Sequence, residues 1–510
     1  MCVMKRIASL VILLTISSKI LGFFREIILS YFYGASSISD AFLISLTIPG
    51  TIFAFIGVGI STSFIPVYTK VKSTEDEETA KDFMNNIIGL ISLLATGIVI
   101  LTFFFTEELV KIFAIGFQGD TLSIAITFTR ISILGVYFYG INYIFSSFLN
   151  TKNNFIAPIL TTIPFNITSI LAVILSSFFG EYLLAIGSLL AIIFQVIFLI
   201  PALRKKNYRF KIRFDLKNKH LKTMILMSLP VILGTSVNQI NSLVDRTLAS
   251  TLAVGGISAL NYASRLNHFI LGIFVTSIAT VIFPSISAMS ISNDYKSIKT
   301  SLAESVTIIS LIIIPATIGS MLFSKQIVAF LFGRGAFDYE AINLTASALF
   351  YYTLGLVGFG MREVISKFFY ALHDTKTPMI NAVIGMVVNI ILNIILSRYL
   401  GIGGLALATS IAATFTSALL FINLRKKIGP FGMKQISISF LKILFASSIM
   451  GGLAKLSFNY LTVSLSQNLS LLIAIGVGAL SYFVIIYFMK IEDVDVIVGA
   501  IKKKLGRGAA

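Results

Sequence analysis

Apolar runs of about twenty residues recur along this sequence from end to end, and a run of that length has few ways to fold. As a helix it crosses the hydrocarbon core of a bilayer with every backbone N–H and C=O satisfied inside the segment. The polar stretches between runs are too short to fold alone. The sequence therefore predicts an all-α polytopic membrane protein with about fourteen transmembrane helices. Approximate limits are 7–33, 40–69, 83–105, 121–149, 155–179, 182–203, 221–249, 256–290, 300–323, 341–371, 378–399, 402–424, 436–460 and 467–490. Several approach thirty residues, which implies tilt. Composition agrees, with 12% charged residues where a soluble chain carries about a quarter.

The net charge of +18 would suggest nucleic acid in a soluble protein. Here the charge sits in short loops and tails, so topology explains it and no nucleic-acid partner is implied. Alternating spans from an inside N-terminus gather most lysines and arginines on the cytoplasmic side and put both termini there. The densest block runs from Arg204 to Lys222, with Tyr208, Phe210 and Phe214 interleaved. It reads either as a plain topogenic loop or as an amphipathic segment on an anionic lipid surface. Lys5 and Arg6 precede an apolar run with no small-residue cleavage site, so the run is expected to be a retained first span. Cys2, the single cysteine, excludes a disulfide framework.

An internal repeat organises the chain. Phe145–Ile170 resembles Phe368–Leu392, each with an aromatic helix end, a Thr-Lys turn and a Pro-bearing helix start, at an offset of about 224 residues. Gly34–Pro66 resembles Gly255–Pro284 at about 221. An even number of spans fits that offset, so the sequence predicts two parallel six-helix lobes related by an axis along the membrane normal, plus two C-terminal helices. The expected division is an N-lobe over 1–203, a basic amphipathic linker over 204–220, a C-lobe over 221–424, two further spans over 436–490, and a basic tail over 491–510. Two lobes around a central cleft are a transporter plan.

A charge within the bilayer needs a reason. Lys19, Arg25 and Glu26 lie in the first span, Asp40 begins the second, Asp245 and Arg246 lie in the seventh, and Arg265 lies in the eighth. Ser18 and Arg25 share a helix face, and Lys19 and Glu26 share the neighbouring one. Gly22 between them permits a close approach. Asn261, Arg265 and His268 form a polar stripe. These groups either neutralise one another within the bundle or bind an anion, and arginine forks suit a diphosphate. Asn238, Asn241 and Asp245, with Asn389, Asn393 and Thr409, either hydrogen-bond between helices or offer hard oxygens to Na⁺. No nucleotide loop, zinc motif or acid cluster indicates an enzyme. A flippase for a polyprenyl-linked saccharide, a cation-coupled exporter of small amphipathic molecules and a membrane enzyme of lipid-linked sugars remain distinct readings.

Ser18–Glu26 (SKILGFFRE), Tyr33–Phe42 (YGASSISDAF), Val237–Asp245 (VNQINSLVD), Leu260–Leu266 (LNYASRL), Gly333–Phe337 (GRGAF), Phe369–Pro378 (FYALHDTKTP) and Gly404–Ser410 (GLALATS) follow in order. Together they resemble the MurJ (MviN) family of lipid II flippases, in the MOP exporter superfamily, over nearly the whole chain. The resemblance implies flipping of undecaprenyl-diphosphate-linked peptidoglycan precursor across the bacterial inner membrane by alternating access, in peptidoglycan biosynthesis. It implies cavity cations at Lys19, Arg25 and Arg265 and a cavity acid at Asp40; Ser18, Glu26 and Asn261 are expected to support them from their places on the same helix faces. It also implies a Na⁺ site at Asp245, Asn389, Asn393, the Leu405 carbonyl and Thr409. One departure stands out. Pro49 is followed by GTIFAFIGVG, where the family places an arginine pair and then a glutamate, here Val58. Arg246 is the candidate replacement cation.

Overall fold

The computed structural model describes residues 2–211 and 213–489, with the side chains at 2–9, 12, 56, 230, 233, 238 and 281 left aside. The expected basic tail at 491–510 and the side chain of Asn238 lie outside the described residues. Among those residues the chain folds into helices joined by short turns. In order they are α1 (Cys2–Tyr33), α2 (Ser37–Thr74), α3 (Glu77–Phe104), α4 (Thr106–Phe113), α5 (Gly119–Ser132), α6 (Gly135–Thr151), α7 (Ile156–Leu160), α8 (Thr162–Phe179) and α9 (Tyr182–Arg204). They continue with α10 (Lys219–Leu252), α11 (Gly256–Ile291), α12 (Tyr295–Leu322), α13 (Ser324–Phe332), α14 (Tyr339–Leu354), α15 (Leu356–Ala371), α16 (Lys376–Leu400), α17 (Ile402–Ile428), α18 (Met433–Leu461) and α19 (Gln467–Phe488).

By length and composition ten of these can cross a membrane, and up to thirteen crossings result when each bent pair counts as one. The expected first span lies in α1, which is outside that set, so fourteen stays an expectation from sequence. The bends have local causes. Between α14 and α15, bent by 47°, the Ser410 hydroxyl of α17 donates to the Tyr351 and Tyr352 carbonyls at 2.7 and 3.2 Å, so a side chain from outside enters the backbone ladder. Between α5 and α6, bent by 43°, the Ser132 hydroxyl reaches the Ser45 carbonyl of α2 at 2.6 Å. Within α10 a 43° bend falls at Pro230, which has no N–H to donate.

Contacts divide the chain into two compact units, one of Met1–Ser258 with Arg334–Ala341, the other of Ala259–Gly333 with Ile342–Ala510. This is a division by packing, and it differs from the division by repeat. The seventh expected span, α10, lies along α2 of the first unit. Aromatic side chains fill the first unit's core, where Phe64 stacks on Tyr68 and Phe83 at 5.3 and 6.2 Å. The second unit is centred on Ile309, Ile313, Phe368 and Phe369, with α18 and α19 joined to α12 through Ile314, Ile443 and Tyr482. Large apolar side chains such as Phe104, Phe178 and Phe483 stay exposed on the outer faces, as helices surrounded by lipid require.

The repeat is visible in the backbone. The turn after α6 and the turn after α15 each close with a left-handed residue, Asn153 at φ 57° and His373 at φ 58°. In each, the next amide reaches five residues back, Asn154 to Leu149 and Asp374 to Phe369, both at 2.9 Å, a Schellman closure. Gly34 and Gly255 also share positive φ, as do Gly180 and Gly401. The offset is thus about 220 residues throughout. The Thr-Lys pairs matched by sequence are not equivalent, because Lys152 precedes its turn and Lys376 follows its own.

Among the described residues, 205–218 of the linker form turns and extended chain. Two asparagines of α3 hold it extended by offering backbone-like partners. Asn85 Oδ1 accepts from the Tyr208 hydroxyl at 2.7 Å and the Lys211 amide at 3.2 Å. Asn86 exchanges two hydrogen bonds with the Asp215 backbone at 2.6 and 2.8 Å. Arg213 pairs with Asp82 at 2.6 Å. The segment is a strap fastened along α3.

Candidate functional site

On α1 the expected shared face of Ser18 and Arg25 is real, and it meets α8. The Ser18 hydroxyl accepts from Thr162 at 2.6 Å. Arg25 lies over the Phe165 ring at 5.4 Å and pairs with Glu26 at 2.7 Å. Glu26 is buried, whereas the Arg25 side chain remains 23% exposed. A buried carboxylate therefore holds a cation whose fork has five donors and retains some for another anion. Lys19 is exposed. Gly22 faces Asn166, and an added Cβ would stand 3.7 Å from it, an ordinary contact.

Asp40 is buried among partners other than the cations expected. Its Oδ1 accepts from the Ser258 amide at 2.7 Å and the Ser258 hydroxyl at 2.5 Å. Ser258 stands in the first turn of α11, where helical amides lack internal acceptors and a negative charge is favoured. Asp40 thus caps the eighth expected span from α2. Around it, three chain segments interlock. The Ala336 amide donates to the Tyr31 carbonyl at 2.8 Å, and a Cβ on Gly335 would come within 2.2 Å of that oxygen. The Gly116 amide donates to Ser250 Oγ at 2.9 Å. Arg246 donates to the Leu43 carbonyl at 3.3 Å and to Thr47, which ties α10 to α2. Asp245 beside it is buried. Sequence reasoning missed Ser258, Ser250, Gly116 and Gly335. The loop glycines were a usable signal, since Gly116 and Gly335 fall close to the repeat offset.

Where the family pattern places cations after Pro49, α2 carries Phe53, buried and stacked on Tyr139 and Tyr143 at 6.3 and 5.8 Å. Aromatic packing occupies the position of the missing charges.

In the second unit, Asn261 is half-buried and Arg265 and His268 are exposed along α11. The other expected oxygens come together. Asn393 donates to Asn389 at 2.9 Å, Asn389 to Thr409 at 3.2 Å, and Thr409 to the Leu405 carbonyl at 2.9 Å. Asn389 and Asn393 are buried. This chain of neutral hard oxygens from α16 and α17 has the donor chemistry that Na⁺ accepts. Asp245 belongs to the first unit. Among the described residues no group of three or more His, Cys, Asp or Glu could hold a metal.

Comparison with known proteins agrees with this architecture. The family described as lipid II flippase MurJ matches residues 29–476. A probable lipid II flippase MurJ of Buchnera aphidicola subsp. Acyrthosiphon pisum is 32% identical over 423 residues, covering 82% of each chain. A solved lipid II flippase MurJ in an inward closed conformation superposes with a TM-score of 0.82 at 31% identity, over 96% of this chain and 99% of the other. An inward-facing MATE family multidrug transporter of the MOP superfamily superposes at 0.69 with 19% identity, over 81% and 94%, a likeness of fold.

Proposed function

The chain belongs to the lipid II flippase MurJ family, and from that premise we propose how its residues handle the substrate. The protein is a multi-pass membrane transporter, not an enzyme, and it flips lipid II by alternating access. The polyprenyl tail stays in the bilayer, because moving it into water costs about 0.8 kcal/mol per CH₂. Only the charged saccharide headgroup needs a protein path. In our reading Arg25 and Arg265 bind the diphosphate, with Lys19 and Arg246 adding positive charge and Ser18 and Asn261 contributing polar contacts. The observation that supports this most directly is Arg25 itself, a part-exposed cation held in place by buried Glu26. Arg246 is anchored on α2 through the Leu43 carbonyl and Thr47. Asp40 is assigned to holding the start of α11.

Both termini are assigned to the cytoplasm on the distribution of basic residues. For Na⁺ we assign Asn389, Asn393, Thr409 and the Leu405 carbonyl, the oxygens brought together within the second unit. A bound cation would draw α16 and α17 together. Complementation tests the cargo. Expressed in a bacterium depleted of its own lipid II flippase, this chain should restore growth. Membrane-inserted protein that fails to do so would overturn the assignment.

A further inference from the structure

The first unit holds a cavity of about 1050 Å³ between α3, α6, α9 and the linker strap. Its lining combines apolar Ile88, Ile141 and Ile200 with the cations Lys81, Arg204, Arg209 and Lys211 and the carboxylates Glu78 and Asp82. Lys81 is paired with Glu78 at 2.8 Å, and neighbouring Asp82 is taken by Arg213. Among the described residues Arg204, Arg209 and Lys211 make no ion pair. They are nonetheless held in place, because Tyr208, which sits between them in sequence and is 4% exposed, is anchored with Lys211 on Asn85. Just beyond, Phe210, Phe214 and Leu216 are exposed at 53, 59 and 75%. Large apolar side chains alternating with cations suit an interface between headgroups and acyl chains.

We propose that this cavity binds an anionic phospholipid, with its phosphate on Arg204, Arg209 and Lys211 and its acyl chains over α3 and α9. Exposed apolar side chains continue along those two helices, including Leu93 and Ile197. A lipid covers the apolar part of the lining, and a soluble phosphate leaves it bare. Charge complementarity sets the sign of the headgroup, since basic pockets beside membrane helices select acidic lipids. Binding here would also fasten the strap that joins α9 to α10.

The experiment uses the full chain in nanodiscs of equal phosphatidylglycerol and phosphatidylcholine, with retained lipid read by native mass spectrometry. One variant combines Arg204→Gln, Arg209→Gln and Lys211→Gln. A control removes equal charge from the same region through Lys206→Gln, Lys217→Gln and Lys222→Gln. The first variant should lose phosphatidylglycerol by roughly fivefold per cation, about a hundredfold in all, with phosphatidylcholine unchanged and the control close to the parent. Equal loss in both variants would mean diffuse surface attraction and overturn the site, as would no loss in the first. Displacement of the lipid by millimolar inorganic phosphate would overturn the choice of a lipid ligand. Should the triple variant fail to fold, Arg209→Gln alone, on the strap, decides in the same sense at about fivefold.

Discussion

The Asp40 carboxylate accepts two hydrogen bonds from a single residue, Ser258, which lies 218 positions further along the chain. Ser258 ends the first segment of one compact unit, and Ala259 begins the other. The bond pair therefore fixes the point at which the chain leaves the unit. A hydrogen bond of this kind contributes about 1 kcal/mol. Ser258→Ala, which removes the hydroxyl and keeps the amide, should weaken this attachment by about that amount. Ala35 lies at this contact, its carbonyl within 2.1 Å of where a Cβ on Gly255 would stand, so with Cys2 replaced by Ser, a reporter made by Ala35→Cys should label with maleimide several-fold faster in Ser258→Ala than in the parent. Equal labelling rates would show that Asp40 does not control this contact.

Arg25→Ala and Arg265→Ala should insert normally and fail to support growth of a flippase-depleted bacterium. Lys at either place should restore growth in part, since it keeps the charge and loses the fork. Abundance in the membrane and complementation are measured together. Abundant Ala variants that support growth would show that these arginines do not carry the diphosphate.

Two glycines of left-handed backbone separate local strain from close approach. At Gly119, φ 53°, a Cβ would meet nothing within 4 Å, whereas at Gly335, φ 63°, it would lie 2.2 Å from the Tyr31 carbonyl. Gly119→Ala should cost only the left-handed penalty, about 1–2 kcal/mol. Gly335→Ala should cost distinctly more and lower the thermal midpoint further in detergent, because the obstructing atom is backbone. Equal shifts would mean that the 336–31 contact contributes little.

Acid should weaken the turn at Asp374. Burial pushes this carboxyl up, but hydrogen bonds from Lys427 and Thr377 outweigh burial and hold it at about 2. A carboxyl depressed in the folded state stabilises fully above its ordinary value of about 3.9 and loses that contribution as pH falls toward 2. Asp374→Asn should therefore lower the thermal midpoint at pH 7, and the difference from the parent should close as pH drops from 4 to 2. A gap that persists at pH 2 would place the effect elsewhere.

Periodicity made the local features legible. Apolar runs located the helices, a spacing of seven put Ser18 and Arg25 on one face, and a spacing of four put Asn389 and Asn393 together. Long-range partners were not legible in this way. Nothing in the run around Asp40 indicates Ser258, and nothing in the basic linker indicates that Asn85 and Asn86, more than a hundred residues earlier, will hold it extended. A short basic block with interleaved aromatics names no partner, and the extended path comes from the amides of Asn85 and Asn86 on α3. The Thr-Lys match misled for a related reason. Identical letters stood on opposite sides of turns whose equivalence lies in dihedral angles.

Those turns bear on how the two halves diverged. Asn153 and His373 share a φ within a degree of each other, and both belong to the few residue types enriched in the left-handed region. After duplication the copies drifted in chemistry while the hairpin held its torsion, so the chain's heredity is written more durably in conformation than in residue identity. Gene shuffling between halves should then succeed when crossovers fall at these turns, because the incoming segment meets a junction already bent to receive it.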